Sequence, residues 1–596
     1  MADQTIETEK TSAPLSIRGL NWLEPTVDPQ KVSRFARETG LNEVLSTLLV
    51  SRGVQPDDVD GFLEPKLRDL CPDPSSLQDM DKAAAEIAAA ILDGRKVTVF
   101  ADYDVDGATS AAQLMRYFRH FDRDLGLYVP DRLKEGYGPS PEAFQSLKDD
   151  GVDLVITVDC GAAAIPALAH ARDIGLPVIV LDHHLMSGAL PDCLALVNPN
   201  RPDDTSGQGH MAAAGVVFIL LVALNRVFRE VHHREPKSLP DLTTYLDLCA
   251  LGTLCDMAPL HGVNRAFVVQ GLRILERDEC PGILALAQVS GRSAPRSVTD
   301  LTFGIGPQLN AGGRIGDPWL ATRLLATQTF DAAIPMAETL NALNQARKDV
   351  EADILHQARN QIIRKLEAHP DRKILIAAGE DWHPGVIGIV AGRLKDEFHR
   401  PVIVIGYGDS FGALAKGSAR SVGGINIGDA IAAAAREGIL ASGGGHAMAG
   451  GLSMEPDRLD QLSDFLEELC QNDDAAIRTA RNVQIQQNVL CSACNLEFVT
   501  LIEQAGPYGA GAPKPILRLR DVRVVSSRII GQNHIKAILS DGSAQIEAIA
   551  WRCADQPLGE ALRTSQVLDV IGYAQRNVWQ GRDRVQFEIF DAVKIK

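Results

Sequence analysis

The spacing of apolar residues changes several times along the chain, and each change marks a different kind of element. Up to about residue 85 the apolar positions recur at helical steps (VLSTLLV, AAAEIAAAIL) between Pro-rich breaks (FLEPKL, CPDPSS), which predicts a mostly helical N-terminal region, 1–85. From Lys96 to about Asp182 the short β-rich runs KVTVFAD, LGLYVPD, DLVITVD and LPVIVLD alternate with Ala-rich helical stretches. That alternation predicts a parallel sheet covered by helices, and we assign 86–329 to this α/β domain. Met336, Leu340, Leu343, Val350, Ile354, Ala358 and Ile362 then fall at helical steps with a single Pro, Pro335, near the start, so 330–368 reads as one long connecting helix. KILIAAG, VIGIVAGRLKDEF and PVIVIG predict a second, smaller α/β domain, 369–470. In 471–596 the runs ILRLRDVRVV, HIKAILSDG, AQIEAIAWR and RVQFEIF alternate with period two, the pattern of a small β-barrel.

A length of 596 residues agrees with several domains. The chain is 45% hydrophobic and 23% charged, and no apolar run reaches the ~20 residues needed to span a bilayer. The N-terminal MADQTIETEKTSAP lacks the basic start and apolar centre of a secretory signal, so the expected location is the cytoplasm. Ten cysteines over this length do not form a disulfide framework, and the one close pair, Cys491 and Cys494, lacks the second pair of a structural zinc site. The net charge of -18 excludes a broadly basic surface, although Pro515–Lys596 carries 12 Lys and Arg against 9 Asp and Glu. Contact with a polyanion must therefore be local or made through metal ions.

The chemistry lies where acidic residues follow apolar runs. VTVFADYDVDG ends in Asp102, Asp104 and Asp106, LVITVDCG in Asp159, and VIVLDHH in Asp182, His183 and His184. In a parallel sheet the carboxyl ends of neighbouring strands open on one crevice, so these side chains converge there. Asp after a strand is also a common helix cap, and Asp-Gly a common turn, but three strand ends and a His pair together make coincidence the poorer reading. Clustered carboxylates repel one another unless cations neutralise them, and oxygen ligands with imidazole suit Mn²⁺ or Mg²⁺. Two such ions about 3.5–4 Å apart would serve phosphoester hydrolysis.

DYDVDG, VDCG, LDHH and LDLCALGTLCDMAPL resemble, in the same order, the four motifs of the DHH phosphoesterases. The resemblance implies a catalytic set of Asp104, Asp106, Asp159, His183, His184 and Asp256. It makes Asp159 the bridge between two metals, places Asp104 on one and Asp106, His183 and Asp256 on the other, and turns His184 towards substrate phosphate or to a supporting role. Phe100 stands where some members carry a His ligand, which leaves Asp102 as a candidate metal ligand or a structural residue.

GPQLNAGGRIGD, WHPGVIGIVAGRL, KGSARSVGGINI, SGGGHAMAGGL and PYGAGAPKP extend the likeness from about Leu70 onward to the RecJ family, with its DHH-associated domain and C-terminal OB-type barrel. This resemblance implies a 5′-3′ exonuclease for single-stranded DNA that releases 5′-mononucleotides in DNA repair and recombination, acting as a monomer with a helicase and a single-strand-binding protein as partners. It further implies that Arg132 holds the 5′ phosphate, that Tyr137 stacks on a base, and that Arg314, Ser418, Arg420 and His446 contact the strand. Ala419 replaces the usual Gly between Ser418 and Arg420. Glycines before Arg314 would let its guanidinium and backbone approach phosphate closely. In the tail, Tyr573, Arg576, Trp579, Arg582, Arg584 and Phe587 combine bases and aromatics as in a single-strand-binding surface, some of them belonging to the core. The rival readings are a DHH phosphodiesterase for short oligonucleotides or cyclic dinucleotides, and a non-catalytic replication factor of the same fold.

Overall fold

The computed structural model describes residues 16–132, 135–186, 188–408, 414–564, 567–579 and 582–595. Its first sheet consists of five parallel strands in the spatial order Gly126–Tyr128, Val97–Ala101, Leu154–Val158, Val178–Leu181, Ala195–Val197. The three central strands, VTVFA, LVITV and VIVL, are buried along their whole length, Thr98 and Thr157 included, as expected of a parallel sheet covered on both faces. The chain leaves Val97–Ala101 to one side and returns on the other. This creates a topological switch point at the carboxyl ends of Val97–Ala101 and Leu154–Val158, the place where an open α/β sheet forms its binding crevice.

Helices Val105–His120, Ala213–Glu230 and Met80–Asp93 pack with this sheet in one core. Met80–Asp93 straddles residue 85, so the end of the N-terminal region is already part of the first domain. The preceding helices Pro29–Thr39 and Glu43–Ser51 instead bury Phe35, Leu45, Leu48 and Leu49 against the C-terminal barrel. Arg265 ties this assembly to the first domain: its guanidinium lies 3.9 Å from the centre of the Phe62 ring and donates to the carbonyls of Phe62 (2.9 Å) and Gly506.

The long helix is Phe330–Ala368. Ala333, Ala337 and Leu340 join the core of the first domain, and Ile354, Ala358 and Ile362 that of the second. Between these two apolar stretches the buried residues Asn344, Arg347 and Glu351 are polar and bond to one another. The second domain is a five-stranded mixed sheet in the order Ser442–His446, Ala449–Met454, Ala415–Arg420, Val402–Tyr407, Leu375–Glu380. The C-terminal module is a closed five-stranded barrel, because Leu517–Ile530 pairs both with His534–Ser540 and with Val567–Trp579. Among the described residues no helix is long and apolar enough to cross a membrane.

Candidate active site and metal centre

Local structure fixes each carboxylate at the switch point. Asp104 caps helix Val105–His120, its Oδ1 accepting the main-chain N–H of Asp106 (2.8 Å) and Gly107 (3.1 Å). A Cβ on Gly107 would lie 2.4 Å from the Asp102 carbonyl oxygen, so only glycine lets the helix start this close to the strand end. Asp106, in the first turn, accepts the N–H groups of Ala213 (2.7 Å) and Ala214 (2.9 Å). Asp159 ends its strand at φ +61°, a conformation that costs a non-glycine residue energy and persists where surrounding structure imposes it. Capping and ligand geometry therefore coexist in the same side chains.

Asp182 differs from the other acids. It accepts the N–H groups of Ala162 (2.9 Å), His183 (2.7 Å) and His184 (3.2 Å) and holds His184 Nδ1 at 2.7 Å, so its role is to position the His pair. Asn200 and Asn198 donate to the carbonyls of His183 (2.6 Å) and His184 (2.9 Å). Sequence reasoning missed both asparagines; their signal was polar residues directly after the buried strand Ala195–Val197, in VNPN.

His183 Nε2 stands 3.2 Å from Asp159 Oδ1 and 3.8 Å from both Asp106 Oδ2 and Asp256 Oδ2. Three sets bring their ligand atoms within 4.8 Å of one another: Asp102, Asp104 and Asp159; Asp106, His183 and Asp256; and Asp159, His183 and His184. Asp159 thus touches both halves of the cluster. Burial, reinforced by neighbouring carboxylates, pushes Asp106 and Asp256 up to about 7 and raises Asp102 and Asp159 well above the usual carboxylate range. Burial acts on Asp182 in the same sense, but the His184 contact overrides it and holds Asp182 at about 2; burial lowers His184, while Asp182 lifts it to about 9. His183 Nε2 and Asp102 Oδ1 are buried and make no hydrogen bond among the described residues. Such orphaned polar atoms within a repelling oxygen-rich set fit a divalent cation. Phe100 is an aromatic core residue stacked on Tyr128, 5.0 Å between ring centres, and Asp102 is the acid that completes the set beside Asp104.

A cleft of about 790 Å³ opens beside the cluster, between the first and second domains. Tyr103, Arg132 and Tyr137 line one wall, and Lys416, Ser418 and Arg420 the other. The Arg132 guanidinium lies 5.3 Å from the centre of the Tyr103 ring. Arg420 Nη1 donates to Ser418 Oγ (3.2 Å) and to the Ala419 carbonyl (2.8 Å). Ala419 is fully buried, so its extra methyl faces the core and leaves the cleft unchanged. Lys416, missed from sequence, was legible as the next position of the same period on strand Ala415–Arg420. Arg314 is half-buried by surface, its guanidinium donates to the Gly385 carbonyl (3.1 Å), and burial with the nearby charges of Arg132 and Arg347 lowers it to about 10. It is not among the residues that line the cleft. The adjacent Gly313 serves packing rather than phosphate: a Cβ there would meet the Tyr103 carbonyl oxygen at 2.4 Å. His446 is exposed on the hairpin with Ala449–Met454 and is also outside the cleft lining.

Family profiles match the chain in three places: the DHH family N-terminal domain over residues 96–253, the DHHA1 domain over 371–472 and the RecJ OB domain over 486–591. The single-stranded-DNA-specific exonuclease RecJ of Escherichia coli (strain K12) is 34% identical over 522 residues, spanning 86% of this chain and 89% of that protein. The chain belongs to the RecJ family of single-stranded-DNA-specific exonucleases. The RecJ of Bacillus subtilis (strain 168) is 32% identical over 583 residues, spanning 96% of this chain and 71% of that protein. The crystal structure of RecJ from Thermus thermophilus in complex with Mn²⁺ superposes with a TM-score of 0.77 at 27% identity, covering 96% of this chain and 80% of that one.

The tail folds as the barrel that its alternation predicts. Phe587 is a fully buried core residue of the barrel. Tyr573 packs on Phe590 and under Lys514, Arg576 pairs with Glu503 and Asp583, and Arg584 lies 3.5 Å from Glu547. Of these only Phe587 is core, Tyr573, Arg576 and Arg584 making contacts within the C-terminal module, and the side chains of Trp579 and Arg582 lie outside the described residues. Cys491 and Cys494 are buried free thiols in the same core, pushed up to about 11 and about 12 by burial.

Proposed function

We propose that this RecJ-family enzyme removes 5′-mononucleotides one after another from the 5′ end of single-stranded DNA, with two divalent cations, Mn²⁺ or Mg²⁺, at the carboxylate cluster. The observation that carries the reading is the adjacency of a cluster fit for cations to a basic, partly aromatic cleft: Tyr137 lines the cleft and bonds the main chain of Asp159. Asp102, Asp104 and Asp159 would hold one cation and Asp106, Asp159, His183 and Asp256 the other. When bound, such a pair acidifies water and offsets the negative charge of a phosphodiester undergoing displacement.

The side chains supply the rest. Arg132 and Arg420, with Ser418 and Lys416, give the cleft charge-assisted donors for the 5′-terminal phosphate and thereby set the position of the first phosphodiester. Tyr103 and Tyr137 offer ring faces on which any base can stack, so the cleft would accept strands whatever their sequence. Asp182 fixes His184, whose Nε2 is directed to Tyr137 Oη at 3.3 Å, so that a positive charge stands beside the strand. Arg314, whose guanidinium lies under the influence of Arg132 and Asp104, supports the cationic field from behind the cleft. The His446 contact belongs to the strand farther from the reacting end.

Monomeric action in the cytoplasm, in DNA repair and recombination, with a helicase and a single-strand-binding protein as partners, belongs to this proposal on the strength of family resemblance alone. Chromatography of the products tests the chemistry. Nucleoside 5′-monophosphates as the sole early products support it; 3′-monophosphates or dinucleotides refute it.

A further inference from the structure

A second concavity, of about 450 Å³, lies where the C-terminal end of the long helix meets the second domain. Arg364, Lys365, His369 and Arg372 line it, and Asp460 is the one acid in its lining. Ala368 and Leu459 form an apolar side beside them, while the Ile376 side chain is buried in the core of the second domain. Lys365 Nζ is engaged by the Ile376 carbonyl (2.7 Å), and one Arg372 nitrogen by Ser463 Oγ (2.8 Å). The Arg364 and His369 side chains are exposed and make no hydrogen bond or ion pair among the described residues. Burial and the charge of Arg372 lower Lys365, against the opposing pull of Asp460, which records the crowding of cations here.

Cations in a last helical turn stabilise the helix by compensating its dipole, and this accounts for Lys365. It does not account for Arg372, which lies beyond the helix end, or for an apolar wall facing the charges. Around this hollow four basic side chains, one of them His369, face a single acid. The hollow is within the size range of small-ligand pockets. At 1.5 Å per residue, Arg364 is about 25 Å along the helix from Arg347, whose charge acts on Arg314 behind the cleft, so the two sites are separate.

We propose that this cavity binds a nucleoside 5′-monophosphate, the phosphate among Arg364, His369 and Arg372 and the base against Ala368 and Leu459. The phosphate chemistry follows from the residues alone; the choice of a mononucleotide rests on the function proposed above, which makes it the released product. A nucleotide there touches both the long helix and helix Leu459–Leu469, and so ties the helix to the domain that carries Ser418 and Arg420.

The test is calorimetric titration of the full chain in chelator, with thymidine 5′-monophosphate, inorganic phosphate, thymidine and a ten-nucleotide strand as ligands. An Arg420→Ala background weakens binding in the cleft. In that background the monophosphate binds at one site and inorganic phosphate competes weakly, whereas thymidine does not bind. Adding Arg364→Glu, or separately His369→Glu, weakens monophosphate binding at least roughly ten-fold, while Arg364→Glu alone leaves the hydrolysis rate of the otherwise intact protein unchanged. Monophosphate binding that is absent, or indifferent to both substitutions, overturns the site. Inorganic phosphate or the ten-nucleotide strand binding as tightly as the monophosphate overturns the mononucleotide assignment. Because binding is read without hydrolysis, failure of this site and failure of the exonuclease reading are separately visible.

Discussion

The phenolic hydroxyl of Tyr137 donates to the main-chain carbonyl of Asp159 at 3.1 Å. The same oxygen stands 3.3 Å from His184 Nε2, and the ring is half exposed on the cleft wall. One side chain therefore joins the surface that would receive a base to the strained residue shared by both halves of the acidic cluster.

That junction predicts different outcomes for two substitutions. Tyr137→Phe keeps the ring and loses a hydrogen bond of about 0.5–1.5 kcal/mol, so kcat falls several-fold with KM for DNA little changed. Tyr137→Ala also loses base stacking worth about 1–3 kcal/mol and raises KM roughly ten-fold or more. Steady-state kinetics on one oligonucleotide separates the two; equal KM values for both variants would remove Tyr137 from base contact.

Arg420→Ala should narrow the preference for 5′-phosphorylated over 5′-hydroxyl strands by roughly ten-fold, the scale of one charge-assisted hydrogen bond. Rates measured side by side on the two substrates check this. An unchanged ratio would mean that the phosphate is bound elsewhere.

The raised carboxylates give a pH dependence with a definite sign. Asp106 and Asp256 sit at about 7 in the folded chain against an ordinary value of 3.8, so between those limits the folded state binds more protons than the unfolded state. Their contribution to stability falls as pH rises through that window and is least favourable above about 7. A divalent cation takes the place of those protons. The rise in melting temperature produced by Mn²⁺ should therefore be larger at about pH 8 than at about pH 5.5, as thermal unfolding with and without the ion would record. A shift of equal size at both would contradict the ligand set.

Asp182→Asn keeps an oxygen for the Ala162 N–H but removes the charge that fixes His184. Activity should drop roughly 10- to 100-fold, as for other residues that orient a metal site, while the Mn²⁺-induced thermal shift persists. Loss of that thermal shift would make Asp182 a ligand after all.

Much of this site was legible because strand ends are legible. The runs before Asp102, Asp159 and Asp182 are apolar except for Thr98 and Thr157, which locates buried parallel strands and hence one crevice. Asp256 was not, since it follows a helix, Leu246–Cys255, that is buried nearly all round and gives no hint of which end meets the sheet. It was named by its motif. In the tail the barrel was legible from its alternation, but which aromatics are core was not: Phe587 in RVQFEIF points inward. Likewise the glycines before Arg314 read as room for a phosphate, whereas Gly313 lies in a helix pressed on the Tyr103 backbone, a contact between segments about 200 residues apart that no local pattern encodes.

The measurement that bears most directly on the central claim uses single strands labelled at either end, a duplex control, Mn²⁺, the intact protein and its Asp104→Asn variant. Asparagine retains an oxygen for the Asp106 and Gly107 N–H groups, so the helix cap survives while the charge is lost. The intact protein should release mononucleotide first from the 5′ label of the single strand and spare the duplex, and the folded variant should be slower by at least roughly 100-fold. First release from the 3′ label, or undiminished hydrolysis by the variant, would contradict that claim.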